Sequence, residues 1–198
     1  YKAALEQGRS ARTVPLEKED RKLVADLSLL TDKPVLYVCN VDDKSAVTGN
    51  AYTEAVRAAI ADENAEMLIV AAATEADIAE LEDYEERRMF LQDMGLEESG
   101  VNRLIKAAYR LLNLETFFTT GADESRAWTF VRGMKAPQTA GIIHTDFERG
   151  FIRAEVIKYD DYVALGSEKA CRDVGKIGIE GKDYVVQDCD IMHFLFNV

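Results

Sequence analysis

The chain has 198 residues, 47% of them hydrophobic, and a formal net charge of −12 at pH 7. This charge argues against indiscriminate binding to DNA or other nucleic acid, which requires a broadly basic surface. No apolar run reaches the roughly 18 to 20 residues of a membrane-spanning helix, and the first residues lack the apolar core of a secretory signal, so we expect a soluble protein with no membrane partner.

The cysteines and the first residue bear on the context of the chain. Cys39, Cys171 and Cys189 are odd in number and show no CxxC spacing, which argues against a disulfide framework and against a zinc site. A reducing, cytoplasmic compartment is therefore predicted. Because the chain begins without methionine inside a helical pattern, we expect it to be the later portion of a longer protein.

The first predicted element is an amphipathic helix from Leu16 to Leu30. Its apolar residues recur at helical spacing in a charged background and are Leu23, Val24, Leu27 and Leu30. Pro34 ends it, because proline disfavours a helical residue before it and lacks the donor that a continued helix needs.

A strand, a helix and a second strand follow. Val35–Cys39 is apolar on both faces, and Met67–Ala71 forms a second apolar run. Between them, apolar residues recur at helical spacing from Ala51 to Ile60. This order predicts two parallel strands joined by a helical crossover, as in a doubly wound α/β sheet.

An acidic stretch and one more helix complete this part of the chain. Residues 75–98 carry ten acidic groups against Arg87 and Arg88, which we interpret as a solvated helix surface. Apolar residues at helical spacing from Val101 to Leu112 predict an amphipathic helix. Ser99 or Gly100 is expected to cap it.

The pattern changes after Glu115. Residues 116–121 and 126–132 alternate as two strands, joined by a polar turn around residues 122–125. A hairpin of this kind predicts the start of a new domain.

Shorter elements follow the hairpin. A short helix over Pro137–His144 and a strand over Phe151–Ile157 are predicted first, then a helix around Asp161–Cys171. Two closing strands, Lys182–Gln187 and Ile191–Asn197, come last. Together they predict a small α+β roll.

Polar residues follow the first apolar strand, from Asn40 to Asp43. In nucleotide-binding α/β sheets, ligands lie outside the carboxyl ends of the strands. An Asn there can hold loops together and meet a base edge, and a carboxylate can accept from ring N–H and amino groups. The guanine-reading pattern of GTPases is Asn-Lys-x-Asp, and here Val41 stands in the lysine position. A strand-ending turn with an Asx cap explains the same residues, so both interpretations stay open.

Small residues follow the second apolar strand. Ala71, Ala72 and Ala73 would let backbone amides approach a flat ring closely. Tight packing of helix on sheet explains them equally well. Because two such strand ends would lie in register, each strengthens the case that the other belongs to a purine site.

The sequence contains no GxxxxGK[ST]. It therefore lacks the phosphate-cradling loop, the Walker lysine and the Ser/Thr ligand of Mg²⁺, and we expect no hydrolysis of nucleotide by this chain alone. No catalytic and no metal-ligating residue is assigned. His144 and His193 have no second His or Cys at ligand spacing and are interpreted as structural.

Basic residues cluster in sequence around the hairpin and the short helix, interleaved with aromatic residues. They are Arg126, Arg132, Lys135, Arg149 and Arg153, with Trp128, Phe130 and Phe147 between them. Basic side chains can neutralise phosphates while an exposed aromatic ring stacks on a base, which predicts a contact with RNA. The alternative is that the rings belong to the core and the arginines keep the strands soluble.

Several segments resemble one known family. KPVLYVCNVDD, AAATEADIAELE, GVNRLIKAAYRLLNLETFFTTG, RAWTFVRGMKAPQTAGIIHTDFERGFIRAEVIKYDDY and GKDYVVQDCDIMHFLFNV resemble the YchF family of Obg-related P-loop ATPases. The resemblance implies that residues 1–31 are the second half of a helical, coiled-coil insertion. It implies that residues 32–115 are the C-terminal part of a doubly wound nucleotide-binding domain, and residues 116–198 a ubiquitin-like, α+β TGS domain of the β-grasp type.

The resemblance also implies a site. The family carries Asn-x-x-Glu and prefers ATP to GTP; Asn40 matches its Asn, and the backbone amide of Val41 would face the adenine. Asp43 is one methylene shorter than the family's Glu and equals the guanine-reading Asp of GTPases. Residues Ala71–Ala73 correspond to the family's Ser-Ala-x purine loop, with Ala71 in place of the serine. The missing lysine favours ATP, whereas Asp43 leaves the preference open.

Two hypotheses follow from the resemblance. In the first, the chain is the C-terminal portion of a ribosome-associated P-loop nucleotide hydrolase, which in full length binds ATP (or GTP) with Mg²⁺, while this chain alone holds neither. In the second, it is a non-enzymatic β-grasp module that binds RNA or protein on the ribosome. We expect a cytoplasmic monomer in either case.

Overall fold

The computed structural model describes residues 1–63, 65–121 and 124–197, except for the side chain of Lys18. The chain divides into two compact units, Tyr1–Leu111 and Leu112–Val198. Within the described ranges, no helix is both long enough and apolar enough to cross a membrane. The assignment of residues 1–31 to a separate helical insertion stays a prediction.

The first unit holds a two-stranded parallel sheet and six helices. Its elements are α1 (Lys2–Glu6), α2 (Lys18–Val24), β1 (Leu36–Asn40), α3 (Ala51–Ala59), β2 (Glu66–Val70), α4 (Ala72–Glu80), α5 (Tyr84–Asp93) and α6 (Gly100–Leu111). β1 and β2 run parallel with Asn40 opposite Val70, and α3 lies between them in sequence. The predicted strand, helix and strand are therefore confirmed.

The predicted helix over residues 16–30 is wrong in its second half. α2 ends at Val24, and the short 3₁₀ turns Ala25–Leu27 and Leu30–Asp32 follow. Ser28 between them has a φ of +47°, in the left-handed region, which breaks the run of helical hydrogen bonds. Leu23 and Leu30 are exposed in this unit. Apolar spacing alone could not show this break.

Helices α4 to α6 agree with their patterns. The acidic stretch forms α4 and α5, whose acidic side chains are mostly exposed, as predicted. Ser99 caps α6, because its Oγ accepts from the Asn102 N–H at 3.2 Å. Glu75 of α4 caps the same helix from outside: its carboxylate accepts from the N–H groups of Gly100, at 2.6 Å, and Val101, at 3.2 Å. The first turns of α4 and α6 are therefore held together.

A carboxylate outside the sheet joins residues from distant parts of the first unit. Glu63 Oε2 accepts from Arg12 Nη2 at 2.6 Å and from the Tyr37 hydroxyl of β1 at 2.8 Å. These hydrogen bonds, first the one from Arg12, hold the pKa of Glu63 below its usual value. They connect the segment before β1 with the loop after α3.

The second unit is a five-stranded mixed sheet with helices on both faces. Its elements are β3 (Leu114–Thr120), β4 (Ser125–Val131), α7 (Ala136–Ile143), α8 (Thr145–Arg149), β5 (Phe151–Ile157), α9 (Tyr159–Leu165), α10 (Glu168–Asp173), β6 (Gly178–Glu180) and β7 (Ile191–Phe196). The strand order is β4-β3-β7-β5-β6, with β3 and β7 parallel and the other pairs antiparallel. This is the β-grasp topology that was predicted, with the hairpin β3–β4 and the helix α7 in place.

The core of this unit lies between the sheet and α7. Phe117, Phe130 and Met192 of the strands are fully buried with Ala136 and Ala140 of α7. A smaller cluster of Ile157, Cys171 and Ile191 lies on the opposite face, where alternate strand residues point. The small residues of α7 let the helix approach the aromatic side chains closely.

One predicted helix of the second unit is wrong, and one predicted turn lies partly outside the described residues. The single helix expected around Asp161–Cys171 is two helices, because Gly166 takes a φ of +78° and Ser167 then caps α10 through the Ala170 N–H. The predicted turn at residues 122–125 falls partly outside the described residues, since 122 and 123 are not described.

The strand predicted at Lys182–Gln187 is an irregular loop with one bridge, from Val185 to Lys135. A fully buried carboxylate, that of Asp190, shapes this loop. It accepts from the Gln187 N–H at 2.9 Å, the Tyr184 hydroxyl at 2.6 Å and Lys158 Nζ at 2.6 Å. These bonds turn the backbone away from the sheet, and sequence alternation does not reveal them.

The Glu63 network predicts a pH-dependent stability difference. A group with a lowered folded pKa stabilises the folded state above its unfolded pKa, and loses this effect as the pH falls through the folded value. Replacing Glu63 with Gln should therefore destabilise the protein at pH 7, with a difference from wild type that shrinks below about pH 4. Urea unfolding followed by circular dichroism between pH 7 and pH 3 measures it.

The control for this experiment is Glu54→Gln. Glu54 forms an exposed pair with Arg57 on α3, so its replacement should change stability little at any pH. A Glu63→Gln difference that stays constant from pH 7 to pH 3 would contradict the assigned ionisation.

A glycine sets the approach of β5 to β7. A Cβ at Gly150 would overlap the backbone carbonyl oxygen of Asn197 and lie 2.8 Å from its carbonyl carbon. Gly150→Ala should therefore push the two strands apart and lower the free energy of unfolding by about 2 kcal/mol. Gly181→Ala, where the added carbon meets nothing within 4 Å, is the matched control. Equal unfolding midpoints in urea for the two variants would refute this steric explanation.

Candidate functional site

The two strand ends of the first unit meet at one edge of the sheet. Asn40 ends β1 opposite Val70, which ends β2. The Val41 N–H donates to the Val70 carbonyl at 2.9 Å and extends the pairing by one residue. This amide is therefore used within the sheet, and the prediction that it would face an adenine is wrong. Because the strands are parallel, Val41 and the alanines after Val70 leave the sheet at the same edge. The sequence prediction that the two ends lie in register is confirmed.

Asn40 joins the two ends through its side chain. Its Oδ1 accepts from the Ala72 N–H at 3.0 Å. Ala72 begins α4, and the residue before it, Ala71, has no side chain that could cap the helix. Asn40 therefore supplies the cap from the neighbouring strand. Its Nδ2 has no hydrogen-bond partner among the described residues, so a donor faces the edge of the sheet.

The two aspartates after Asn40 have different tasks. Asp42 accepts from the Ser45 N–H at 2.9 Å and caps the short 3₁₀ turn Asp43–Ser45; hydrogen bonding to Ser45 lowers its pKa. Asp43 is exposed and reaches across to α4, where its Oδ1 accepts from the Thr74 hydroxyl at 2.5 Å. The Asx cap that the sequence left open thus belongs to Asp42, while Asp43 stands at the strand ends.

The three alanines divide by exposure. Ala71 is buried and packs against the sheet, which agrees with the packing interpretation. Ala72 and Ala73 are exposed. In the described ranges the N–H groups of Ala73 and Thr74 have no acceptor, as is usual for the first turn of a helix. A flat ring could therefore approach Ala72 and Ala73 and meet these donors.

Sequence reasoning missed two residues at this edge. Thr74 is buried and donates to Asp43, but in the sequence it cannot be distinguished from any other small residue in the first turn of a helix. Tyr52 at the start of α3 is largely exposed and lines a shallow concavity with Val38, Asn40 and Val41. The signal that could have pointed to Tyr52 is an aromatic residue in the first turn of α3, the helix that follows the polar end of β1.

The described residues hold no group of three or more His, Cys, Asp or Glu side chains placed to bind a metal ion. His144 caps α8, where its Nδ1 accepts from the Asp146 N–H at 3.2 Å. His193 lies on β7 opposite Glu155 and is exposed.

The five basic residues of the second unit do not form one patch. Arg132 and Lys135 lie where β4 ends, opposite the start of β3, whereas Arg126 lies where β4 begins, opposite the end of β3 and near the start of β7. Arg149 and Arg153 flank the start of β5, which pairs with the end of β7. The strand register therefore places Arg132 and Lys135 at one end of the sheet and the other three residues towards the opposite end.

Their electrostatic surroundings also differ. Arg132 Nε lies 2.7 Å from Glu115, and Lys135 Nζ lies 2.7 Å from Asp183. The Arg126 guanidinium lies 4.4 Å from the centre of the Trp128 ring. Arg149 and Arg153 are exposed and have no acidic group within 4 Å in the described ranges.

Of the interleaved aromatic residues, Phe130 is in the core, and the half-buried Trp128 and Phe147 pack against it. Phe130 is fully buried, Trp128 stacks on Phe117 and donates to Thr119 Oγ1 at 2.9 Å, and Phe147 stacks on Phe196 with 3.8 Å between ring centres. These contacts favour the alternative in which the rings are core. A phosphate-binding role, if these arginines have one, does not include stacking on Phe130 or Phe147.

Comparison with known proteins identifies the family. Residues 114–197 match the family described as YchF-GTPase_C, protein of unknown function (DUF933). The ribosome-binding ATPase YchF of Bacillus subtilis (strain 168) is 53% identical over 199 residues, which cover 100% of this chain and 54% of that protein. The chain is homologous to the YchF proteins over its whole length. The predicted resemblance is thereby confirmed.

Other YchF relatives agree. The ribosome-binding ATPase YchF of Escherichia coli O157:H7 is 49% identical over 194 residues, covering 98% of this chain and 53% of that protein. The structure of the Schizosaccharomyces pombe YchF GTPase matches with a TM-score of 0.86 and 33% identity, over 98% of this chain and 52% of that one. The chain thus spans about half the length of the YchF relatives it matches.

A more distant structure shares the fold alone. The GTP binding protein from Pyrococcus horikoshii OT3 matches with a TM-score of 0.61 and 16% identity, over 99% of this chain and 55% of that one. The predicted fold class, a parallel α/β part followed by a β-grasp domain, is confirmed by these matches and by the topology of the two units.

Proposed function

We propose that this chain supplies the base-binding edge and a docking domain of a YchF-type P-loop nucleotide hydrolase that works at the ribosome, in the cytoplasm. One observation carries the proposal: in a chain homologous to YchF, the ends of β1 and β2 are tied together by the Asn40–Ala72 hydrogen bond, with a free donor on Asn40 beside them. Its YchF relatives are named as ribosome-binding ATPases.

The base would lie against the edge formed by Asn40, Val41 and the exposed alanines Ala72 and Ala73. The Asn40 Nδ2 can donate to a purine ring nitrogen, and the small alanine side chains leave the ring close to the backbone N–H groups of α4. Asp43 would accept from an exocyclic amino group. Ala71, being buried, contributes packing beneath this edge.

The phosphates and Mg²⁺ would be held by parts of the full-length protein outside this chain. The chain has no GxxxxGK[ST], so it offers neither the lysine nor the hydroxyl that would bind the β- and γ-phosphates and the metal. We therefore propose that this chain alone does not hydrolyse nucleotide. ATP is favoured over GTP, because Val41 replaces the lysine of the guanine-reading pattern.

The second unit is proposed to be a TGS domain that docks on ribosomal RNA or on a ribosome-bound protein. Residues 117–198 carry a net charge of −3, from 10 basic and 13 acidic residues, which is far less negative than the −9 of residues 1–116. Arg149 and Arg153 are exposed and form no ion pair within 4 Å among the described residues, so they can meet phosphate without first giving up such a pair.

The base-binding edge is tested with the intact protein. Asn40→Ala removes both the cap of α4 and the donor to the ring, and should weaken binding of ATP and GTP by about tenfold or more, as loss of one or two hydrogen bonds implies. Asp43→Ala should change the two affinities unequally. Fluorescence titration with labelled ATP and GTP measures both.

Gln92→Ala is the matched control, because it removes an exposed carboxamide on α5 that makes no side-chain hydrogen bond to the strand ends within the described ranges. Affinities for both nucleotides that stay at the wild-type value in Asn40→Ala and in Asp43→Ala would remove the base-binding assignment. Ribosome binding without any nucleotide binding by the intact protein would instead support the non-enzymatic β-grasp module.

The docking surface is tested by reversing charge at each end of the sheet. The double variant Arg149→Glu/Arg153→Glu should weaken ribosome cosedimentation and reduce its salt dependence. The double variant Arg132→Glu/Lys135→Glu should have a smaller effect on both, because Arg132 and Lys135 are already neutralised by Glu115 and Asp183. Both variants change the charge equally, and circular dichroism checks their folding. Wild-type cosedimentation of the Arg149/Arg153 variant across the salt range would exclude that end of the sheet.

A further inference from the structure

The hydrogen bond between Thr74 and Asp43 connects two segments 31 residues apart. Thr74 lies in the first turn of α4 and is 2% exposed, whereas Asp43 is exposed near the start of the loop after β1. The hydroxyl donates to Oδ1 at 2.5 Å. Asp43 Oδ2 has no partner among the described residues, so one carboxylate oxygen is engaged and one is open.

Thr74 itself is held in place from two sides. The residue two before it, Ala72, is bonded to Asn40, and the residue after it, Glu75, caps α6 through Gly100 and Val101. The first turn of α4 therefore has little freedom to rotate. Because Thr74 is buried in that turn, its hydroxyl holds Oδ1 of Asp43 beside α4 and leaves Oδ2 towards the strand ends.

The number of open carboxylate oxygens matters for purine recognition. Guanine presents two neighbouring donors, its ring N1–H and its exocyclic N2 amino group, which suit a carboxylate that accepts with both oxygens. The Watson–Crick edge of adenine presents a donor at N6 and an acceptor at N1, so it can use one carboxylate oxygen and is repelled by a second. An oxygen that already accepts from the Thr74 hydroxyl keeps one lone pair, in a restricted direction, and is a weaker acceptor for a further donor. This carboxylate therefore suits the single donor of adenine better than the two neighbouring donors of guanine.

We propose that Thr74 is a positioning residue that sets the base preference of the site towards ATP by engaging one oxygen of Asp43. The inference rests on the proposed function, since it requires a purine at the ends of β1 and β2. It explains how a chain with Asp43, the acid of the guanine-reading pattern, favours adenine. The preference depends on the hydroxyl of Thr74 together with the carboxylate.

The test compares variants of the intact protein in titrations with labelled ATP and GTP. Thr74→Val keeps the shape of the side chain and removes the donor, and should shift the ratio of the two affinities towards GTP by about tenfold, the size of one bidentate base contact. Thr74→Ser keeps the hydroxyl and should keep the wild-type ratio. Thr139→Val, which removes a buried hydroxyl from α7 in the second unit, is the matched control.

A double-mutant cycle separates positioning from general damage. If Thr74 acts through Asp43, then Thr74→Val should leave the ratio unchanged in a protein that already carries Asp43→Ala. A shift of equal size in both backgrounds would overturn the inference, as would wild-type binding with an unchanged ratio in Thr74→Val. Failure of the wild-type protein to bind either nucleotide would overturn the proposed function itself. This outcome differs from failure of the inference about Thr74, in which the wild-type protein still binds nucleotide.

Discussion

The hydrogen bond from the Ala72 N–H to Asn40 Oδ1 is the contact on which the candidate site depends. Backbone pairing holds the parallel strands β1 and β2 together as far as Val41, and beyond that point the chain leaves the sheet at both strands. A cap is worth only about 1 kcal/mol, but this one crosses between strands. It therefore fixes where α4 begins relative to the loop that carries Asp43, and the direction of every group at the edge follows from it.

The chemistry of a carboxamide explains why Asn is suited to this position. Its oxygen is used by the helix cap, and its nitrogen is left as a donor at the edge. An aspartate could cap α4 equally well, but it would offer no donor and would bring a third acid beside Asp42 and Asp43. A serine can cap a helix that begins directly after it, but its side chain is too short to reach from the end of one strand to the helix after the next. Support of the fold and the proposed recognition of a base would thus use opposite ends of one side chain.

Much of the fold could be predicted from the sequence, because its elements are coded locally. The two parallel strands, the hairpin after Glu115 and the strand Phe151–Ile157 all follow from apolar patterning within seven residues or fewer. One failure has a non-local cause, whereas the breaks at Ser28 and Gly166 are local turns of the backbone. The segment Lys182–Gln187 alternates like a strand, but the buried carboxylate of Asp190 draws it into a loop through Tyr184 and Lys158. Such a network has no signature in the segment that it reshapes.

The candidate site shows the same division. Sequence reasoning placed Asn40 and the alanines together because parallel strands end at one edge, and this arrangement is observed. It missed Thr74, since a hydroxyl in a helical turn has no distinctive spacing from a carboxylate 31 residues earlier. It also treated the five basic residues as one cluster. Proximity in sequence misled there, because antiparallel strands carry neighbouring residues to opposite ends of a sheet.

Asp42 and Asp43 show why a four-letter motif does not determine base preference. Both carry the same carboxylate, yet Asp42 is used by its own backbone at Ser45, and Asp43 is turned towards α4 by Thr74. What a ligand meets is the number and direction of acceptors that remain after the protein has used the others. That remainder is set by the helix following the next strand, so specificity at this edge is a property of the paired strand ends. The residues that follow β1 in the sequence form only one side of this edge.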